Sequence, residues 1–116
     1  MGTENENKMT FDEYNKLAAS TDKYPVSVKP WIYALGLTGE AGEVADKLKK
    51  QYRDNGGVIS NEAKVELVKE LGDVMWYITR LAASLGYSLC EVASMNVEKL
   101  RSRAERGAIH GEGDNR

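Results

Sequence analysis

The chain has 116 residues, enough for one domain with a modest core and too few for two. Its 16 basic and 18 acidic residues are interspersed and leave a formal net charge of −2, which speaks against a nucleic-acid polymer held on a broad cationic surface. The single cysteine, Cys90, excludes an intramolecular disulfide and a Cys-x-x-Cys centre; it reads as a buried structural thiol in a reducing compartment.

Apolar runs such as residues 74–78 fall far short of the roughly 20 residues a membrane span needs, and no signal-peptide pattern opens the chain, so a soluble cytoplasmic protein is expected. Residues 1–8 are polar and read as a disordered leader, with Met9 a candidate internal start. The domain is expected over residues 9–106, followed by a glycine-rich tail, 107–116.

Thr10 and Glu13 form a capping box that predicts a short helix over residues 11–19. Pro25 and Pro30 then mark a loop, with Pro30 suited to the first position of a long second helix running to about Tyr52. Leu37, Ala41, Val44, Ala45 and Leu48 recur at helical spacing, and Lys47, Lys49, Lys50 and Arg53 gather where the helix dipole favours cations. Asp54, Asn55, Gly56 and Gly57 end that helix.

Ser60 or Asn61 caps a third helix whose apolar stripe is Leu67, Leu71, Val74, Ile78, Leu81 and Leu85, stopped by Gly86. A second capping box, Ser88 with Glu91, opens a fourth helix to about Arg106, with Leu89, Val92, Ala93 and Leu100 facing inward. The tail is too rich in glycine to be helical and reads either as plain disorder or as a flap over a ligand through Asp114, Asn115 and Arg116. His110 lies in it, which argues against a catalytic histidine. No run alternates as a strand would. The fold class is all-α, a bundle of about four helices around a central antiparallel acidic hairpin.

Two stretches thirty residues apart share the pattern L-x-x-E-x-G-[E/D]-V, one from Leu37 to Val44 and one from Leu67 to Val74. Each carries an acidic pair three residues apart, Glu40 with Glu43 and Glu70 with Asp73, and such spacing puts both acids on one helix face. A lone pair of this kind is ordinarily a solvated face, and Glu43 with Asp46 makes another. Three features set the repeated pairs apart. Helical phase places them at the border of the apolar stripe. In a hairpin closed by residues 54–60 both lie about three turns from the turn, and so at one level. Gly42 and Gly72 stand at the same step of each motif at a cost of roughly 0.8–1.0 kcal/mol against alanine, which suggests a close approach. Four facing carboxylates repel unless a cation compensates. An all-oxygen donor set favours Mg²⁺, with Mn²⁺ as a substitute, over zinc.

On the fourth helix Asn96, Lys99 and Arg103 fall on one side and suit phosphate oxygens, the plain alternative being a ridge paired with Glu98 or Glu105. Trp76 and Tyr77 follow Asp73; Tyr77 lies angularly between the acids while Trp76 points to a different face. They either pack against another helix or subunit or stack a nucleobase.

From about Met9 onward the chain resembles the MazG-like nucleoside triphosphate pyrophosphohydrolases, of the compact single-domain type found in phages and bacteria. The matching pieces are G-L-T-G-E-A-G-E-V with Glu40 and Glu43, E-L-G-D-V with Glu70 and Asp73, and N-V-E-K-L-R-S-R with Asn96, Lys99 and Arg103. The resemblance implies a helical bundle that oligomerises, a Mg²⁺ site built from those four acids, and cleavage of an NTP or dNTP to the monophosphate and pyrophosphate. The family is also similar in core to dimeric all-α dUTPases. Many members carry E-E-x-x-E, and Gly39 stands where the first glutamate would be.

On this reading water attacks the α-phosphorus, Glu40 orients or deprotonates it, and Asn96, Lys99, Arg103 and Lys50 hold phosphate or sugar oxygens. A homodimer or homotetramer is expected, because a bundle this small gains core by pairing with copies of itself. The rivals are a dUTPase-like or alarmone-directed hydrolase on the same scaffold and a non-catalytic metal-binding interaction module. If phage-encoded, the chain would act in the host cytoplasm.

Overall fold

The computed structural model describes residues 8–107; most of the leader and all of the tail beyond Gly107, with His110 and the Asp-Asn-Arg ending, lie outside the described residues. Within them the chain is all-α. Helix α1 spans Phe11–Thr21, a short 3₁₀ turn Val26–Val28 follows, and then come α2, Trp31–Asp54, α3, Asn61–Ser84, and α4, Leu89–Glu105.

The helix starts are set by side chains that satisfy otherwise unpaired amides. Thr10 Oγ1 accepts from the Glu13 amide at 3.1 Å while Glu13 accepts in return from the Thr10 amide at 3.1 Å. Ser88 and Glu91 repeat that exchange at 3.1 and 2.9 Å, and Ser60 accepts from the Ala63 amide at 3.1 Å. Pro30 is not the first residue of α2 but precedes it, its carbonyl accepting from the amides of Tyr33 and Ala34. Between α2 and α3 the chain reverses through Gly56 and Gly57, at φ +61° and +82°, a region open to glycine without steric cost.

Helices α2 and α3, each 24 residues and so about 36 Å long, form the central hairpin. Helix α1 packs on α3 and α4, and α4 folds back on α3. Very little is fully enclosed: Ala18, Tyr33, Thr79, Ala82, Leu89 and Arg103 are the buried residues among those described. Several positions expected to face inward do not. Leu71, Leu85, Leu48, Val92 and Leu100 are exposed, as are Ala41 and Ala45, because no described element covers the sides of the helices on which they lie. Cys90, expected as a buried thiol, is exposed as well; Leu89 takes the inward position at the start of α4.

The segment between α1 and α2 is fastened by one carboxylate. Asp22, its side chain 1% exposed, accepts from the Tyr33 hydroxyl, from Arg80 Nε at 2.8 Å and from the Tyr24 amide at 3.0 Å, with Lys29 Nζ 3.5 Å away. Burial by itself would raise the Asp22 pKa; the hydrogen bonds from Tyr33, Arg80 and Tyr24, with the Lys29 charge, outweigh it and hold the group at about 2. The fold therefore favours the charged form. The resulting stabilisation is complete above the ordinary value of 3.8 and is lost as pH falls toward 2. Asp22→Asn leaves Arg80 beside a neutral amide in a poorly solvated position and is expected to lower unfolding free energy by about 3 kcal/mol at neutral pH. Urea denaturation at pH 7 and at pH 2.5 measures this, the difference between variant and wild type shrinking at the lower pH.

Candidate active site

Helical phase carries Glu40 of α2 and Glu70 and Asp73 of α3 to the hairpin seam, where one carboxylate oxygen from each lies within 4.8 Å of the others. Burial, followed by the charge of Asp73 and the contact and charge of Glu70, raises the Glu40 pKa, with Glu43 adding a smaller push. Glu43 itself is exposed and stands outside the converging set, although its charge is felt there. The three oxygens form a hard, anionic donor set of the kind that suits a small divalent cation.

Among the lysines of α2, Lys47 Nζ approaches Glu70 Oε1 at 3.8 Å. Lys50, singled out from the sequence, instead pairs with Asp46 Oδ2 at 2.8 Å. Lys47 follows Glu40 by seven residues, two turns along the same face, and that spacing is the signal by which it could have been found.

Glu40 and Asp73 line a cleft of about 540 Å³ together with the aromatic Tyr24, Trp76 and Tyr77 and with Thr21 and Lys23. Trp76 takes a different face of α3 from Tyr77, toward Thr21 of α1 where Tyr77 lies against Gly36 of α2, yet both rings line the cleft. Their rings meet edge to face at 5.1 Å, and Tyr24 and Tyr33 lie 6.5 and 6.3 Å from the indole. Trp76 Nε1 donates to Thr21 Oγ1 at 2.8 Å, which pins the end of α1 to α3. A hydrogen bond with Tyr24 pushes the Tyr77 pKa up to about 12, helped by burial and by the charges of Glu40 and Asp73. Asp73 also reaches Tyr14 on α1, whose pKa is raised by burial and then by that charge.

Tyr77 reaches this position because Gly36 lacks a side chain: a Cβ there would overlap the ring. The close approach expected at Gly42 and Gly72 is absent among the described residues, none of which lies within 4 Å of a Cβ built at either, nor at Gly39. Gly36 precedes Glu40 by four residues and shares its face.

The ridge on α4 does not line this cleft. Lys99 and Arg103 border one depression with Ser102 and Arg106, and Asn96 and Lys99 border another with Leu85 and Tyr87. Arg103 is 5% exposed, while Asn96 and Lys99 are exposed.

The model of the MazG nucleotide pyrophosphohydrolase domain matches residues 30–107, a span that takes in all four acids and the α4 ridge. The chain belongs to this family. As a MazG-domain protein it is also similar to the gene 37 protein of Mycobacterium phage L5, 46% identical over 114 residues that cover 93% of this chain and 100% of the relative. No solved structure matches it. Among the described residues no helix is long and apolar enough to cross a membrane. The MazG match begins at residue 30, so Thr21, Lys23 and Tyr24, which complete the aromatic end of the cleft, come from outside the matched span.

Gly36→Ala is expected to displace the Tyr77 ring, lowering stability by about 1–3 kcal/mol and flattening the near-ultraviolet dichroism of the Trp76 and Tyr77 pair. Gly39→Ala, with open space beside it, is expected to gain up to about 1 kcal/mol. Equal stability and an unaltered aromatic spectrum for Gly36→Ala contradict this packing.

Proposed function

We propose that the chain is a Mg²⁺-dependent nucleoside triphosphate pyrophosphohydrolase, converting an NTP or dNTP and water to the monophosphate and pyrophosphate. The observation that carries the reading is the convergence of Glu40, Glu70 and Asp73 beside a cleft with an aromatic wall, in a chain of the MazG family. Triphosphate and base call for those two surfaces side by side.

Glu40, Glu70 and Asp73 would hold the cation, with Glu43 at the exposed rim, and Mn²⁺ suits the same oxygens. When bound, the metal neutralises triphosphate charge and lowers the pKa of water at the site. Glu40 and Asp73 face the cleft, whereas Glu70 contacts Lys47; Glu40 is therefore assigned to orient and deprotonate the attacking water. Attack at the α-phosphorus breaks its bond to the bridging oxygen, and pyrophosphate leaves. Trp76 and Tyr77 present ring faces and edges to the base and sugar, with the indole held by Thr21 so that little rotamer freedom is lost on binding.

Within one chain Asn96, Lys99 and Arg103 border other depressions, so the reading assigns them to phosphate or sugar oxygens of a nucleotide held by a second copy. A homodimer, or a dimer of such dimers, is supported by the unpartnered apolar side chains of the hairpin, Trp31, Leu35, Val65, Val68, Leu71 and Met75, each between 38% and 71% exposed. Gly42 and Gly72, with open space beside them, let a second pair of helices come close. The reaction draws on the cytoplasmic nucleotide pool, that of the host if the chain is phage-encoded like its relative.

A panel of NTPs and dNTPs with Mg²⁺, with products separated, tests the reaction. Monophosphate and pyrophosphate are expected in equal amounts, and Glu40→Gln and Asp73→Asn are each expected to lower kcat by about a hundredfold or more. Orthophosphate alone, or full activity in both variants, counts against it, and inactivity toward every nucleotide favours a metal-binding module. Sedimentation at micromolar concentration is expected to give a dimer or tetramer and Val68→Glu a smaller species; a monomeric wild type sinks the shared-site reading.

A further inference from the structure

Lys23 is the one charged side chain at the aromatic end of the cleft, among the residues that line it. Its position is fixed from both sides. Thr21, two residues earlier, is bonded to Trp76 Nε1, Asp22 is anchored to Arg80 and Tyr33, and the ring of Tyr24, one residue later, lies 6.5 Å from the indole. The carboxylates Glu40 and Asp73 line the same cleft, and their charge helps to raise the Tyr77 pKa. The acids, Tyr77, Trp76 and Tyr24 thus line one cleft, with Lys23 joining the lining between Thr21 and Tyr24.

The two polar neighbours of Lys23 on the α1 side, Thr21 and Asp22, are occupied. The Thr21 hydroxyl donates to the Ala18 carbonyl at 2.8 Å while accepting from Trp76. The carboxylate of Asp22 is 1% exposed and held by Arg80, Lys29 and Tyr33, so it offers no acceptor to a ligand. Lys23 Nζ makes a single long hydrogen bond, 3.4 Å to the Ser20 carbonyl, and an ammonium has three donors and no acceptor.

We infer that Lys23 sets base preference by donating to a carbonyl on the edge of the base farthest from the sugar; this rests on the pyrophosphohydrolase reading, which places the phosphates at the acids. With the sugar toward the acids, the distal edge presents position 4 of a pyrimidine or position 6 of a purine. That position is a carbonyl in uracil, thymine and guanine and an amino group in cytosine and adenine. An ammonium rewards the carbonyl with a charge-assisted bond and meets the amino group with two donors facing each other. Because Lys23 lies ahead of residue 30, where the family match begins, the preference belongs to this chain's α1 to α2 segment and is not supplied by the matched domain.

The test compares kcat/KM within pairs of equal ring size, dUTP against dCTP and dGTP against dATP, for the wild-type protein, Lys23→Met and Lys23→Arg. The wild type is expected to favour the carbonyl member of each pair by about tenfold. Lys23→Met should bring both ratios close to one by lowering the carbonyl members alone, and Lys23→Arg should keep the preference. A wild type that favours neither member or the amino member overturns the proposal. So does a Lys23→Met that lowers all four nucleotides alike, which would put the ammonium on phosphate and leave the reaction intact. If the wild type cleaves none of the four, the pyrophosphohydrolase reading fails first and the assignment of Lys23 falls with it.

Discussion

Repulsion among three carboxylates across the seam of the α2–α3 hairpin is the constraint from which the site takes its form. Asp73 is at its centre, since its charge raises the proton affinity of Glu40, Tyr77 and Tyr14 together. Among the described residues Lys47 is the cation paired with the cluster, 3.8 Å from Glu70 and 37% exposed, which is a weak counterweight in water. A divalent cation, as proposed above, would relieve this repulsion. The hairpin supplies the rigidity: two 24-residue helices fix the acids by backbone register and not by loop contacts.

The aromatic half of the cleft depends on a different device. Thr21, Lys23 and Tyr24 come to the site only because the chain leaving α1 is tied down by the buried Asp22 and by the bond between Trp76 and Thr21. Tyr77 bridges the halves, close enough to α2 to require glycine at position 36 and close enough to the acids to have its pKa raised. Fold and site are therefore coupled at one point, the α1 to α2 segment. Loosening it would leave the three acids in register while removing the aromatic lining that Thr21 and Tyr24 complete.

The parts of this arrangement that were legible in the sequence are those governed by local periodicity. The capping boxes at Thr10 and Ser88, the reversal at Gly56 and Gly57, and the matched level of Glu40, Glu70 and Asp73 follow from spacing alone. Contacts made by chain folding back on itself left no periodic trace, so Thr21, Lys23 and Tyr24 were invisible as cleft residues. Helical angle placed Trp76 and Tyr77 on different faces, but a large ring covers more than the direction of its Cα–Cβ bond, so both reach one cleft. It also favoured Gly42 and Gly72 over Gly36, since a motif repeat draws attention to itself and a close ring contact does not. The exposure of Cys90, Leu71 and Leu85 reflects how little surface a single copy of this bundle encloses.

If repulsion around Asp73 is what a cation relieves, removing that charge has opposite effects with and without metal. Thermal unfolding of wild type and Asp73→Asn, each with and without Mn²⁺, makes the comparison. The account predicts that metal-free Asp73→Asn is at least as stable as the wild type, and that the rise in Tm on adding Mn²⁺, clear in the wild type, is largely lost in the variant. A metal-free variant less stable than wild type, with an undiminished rise on adding Mn²⁺, would contradict it.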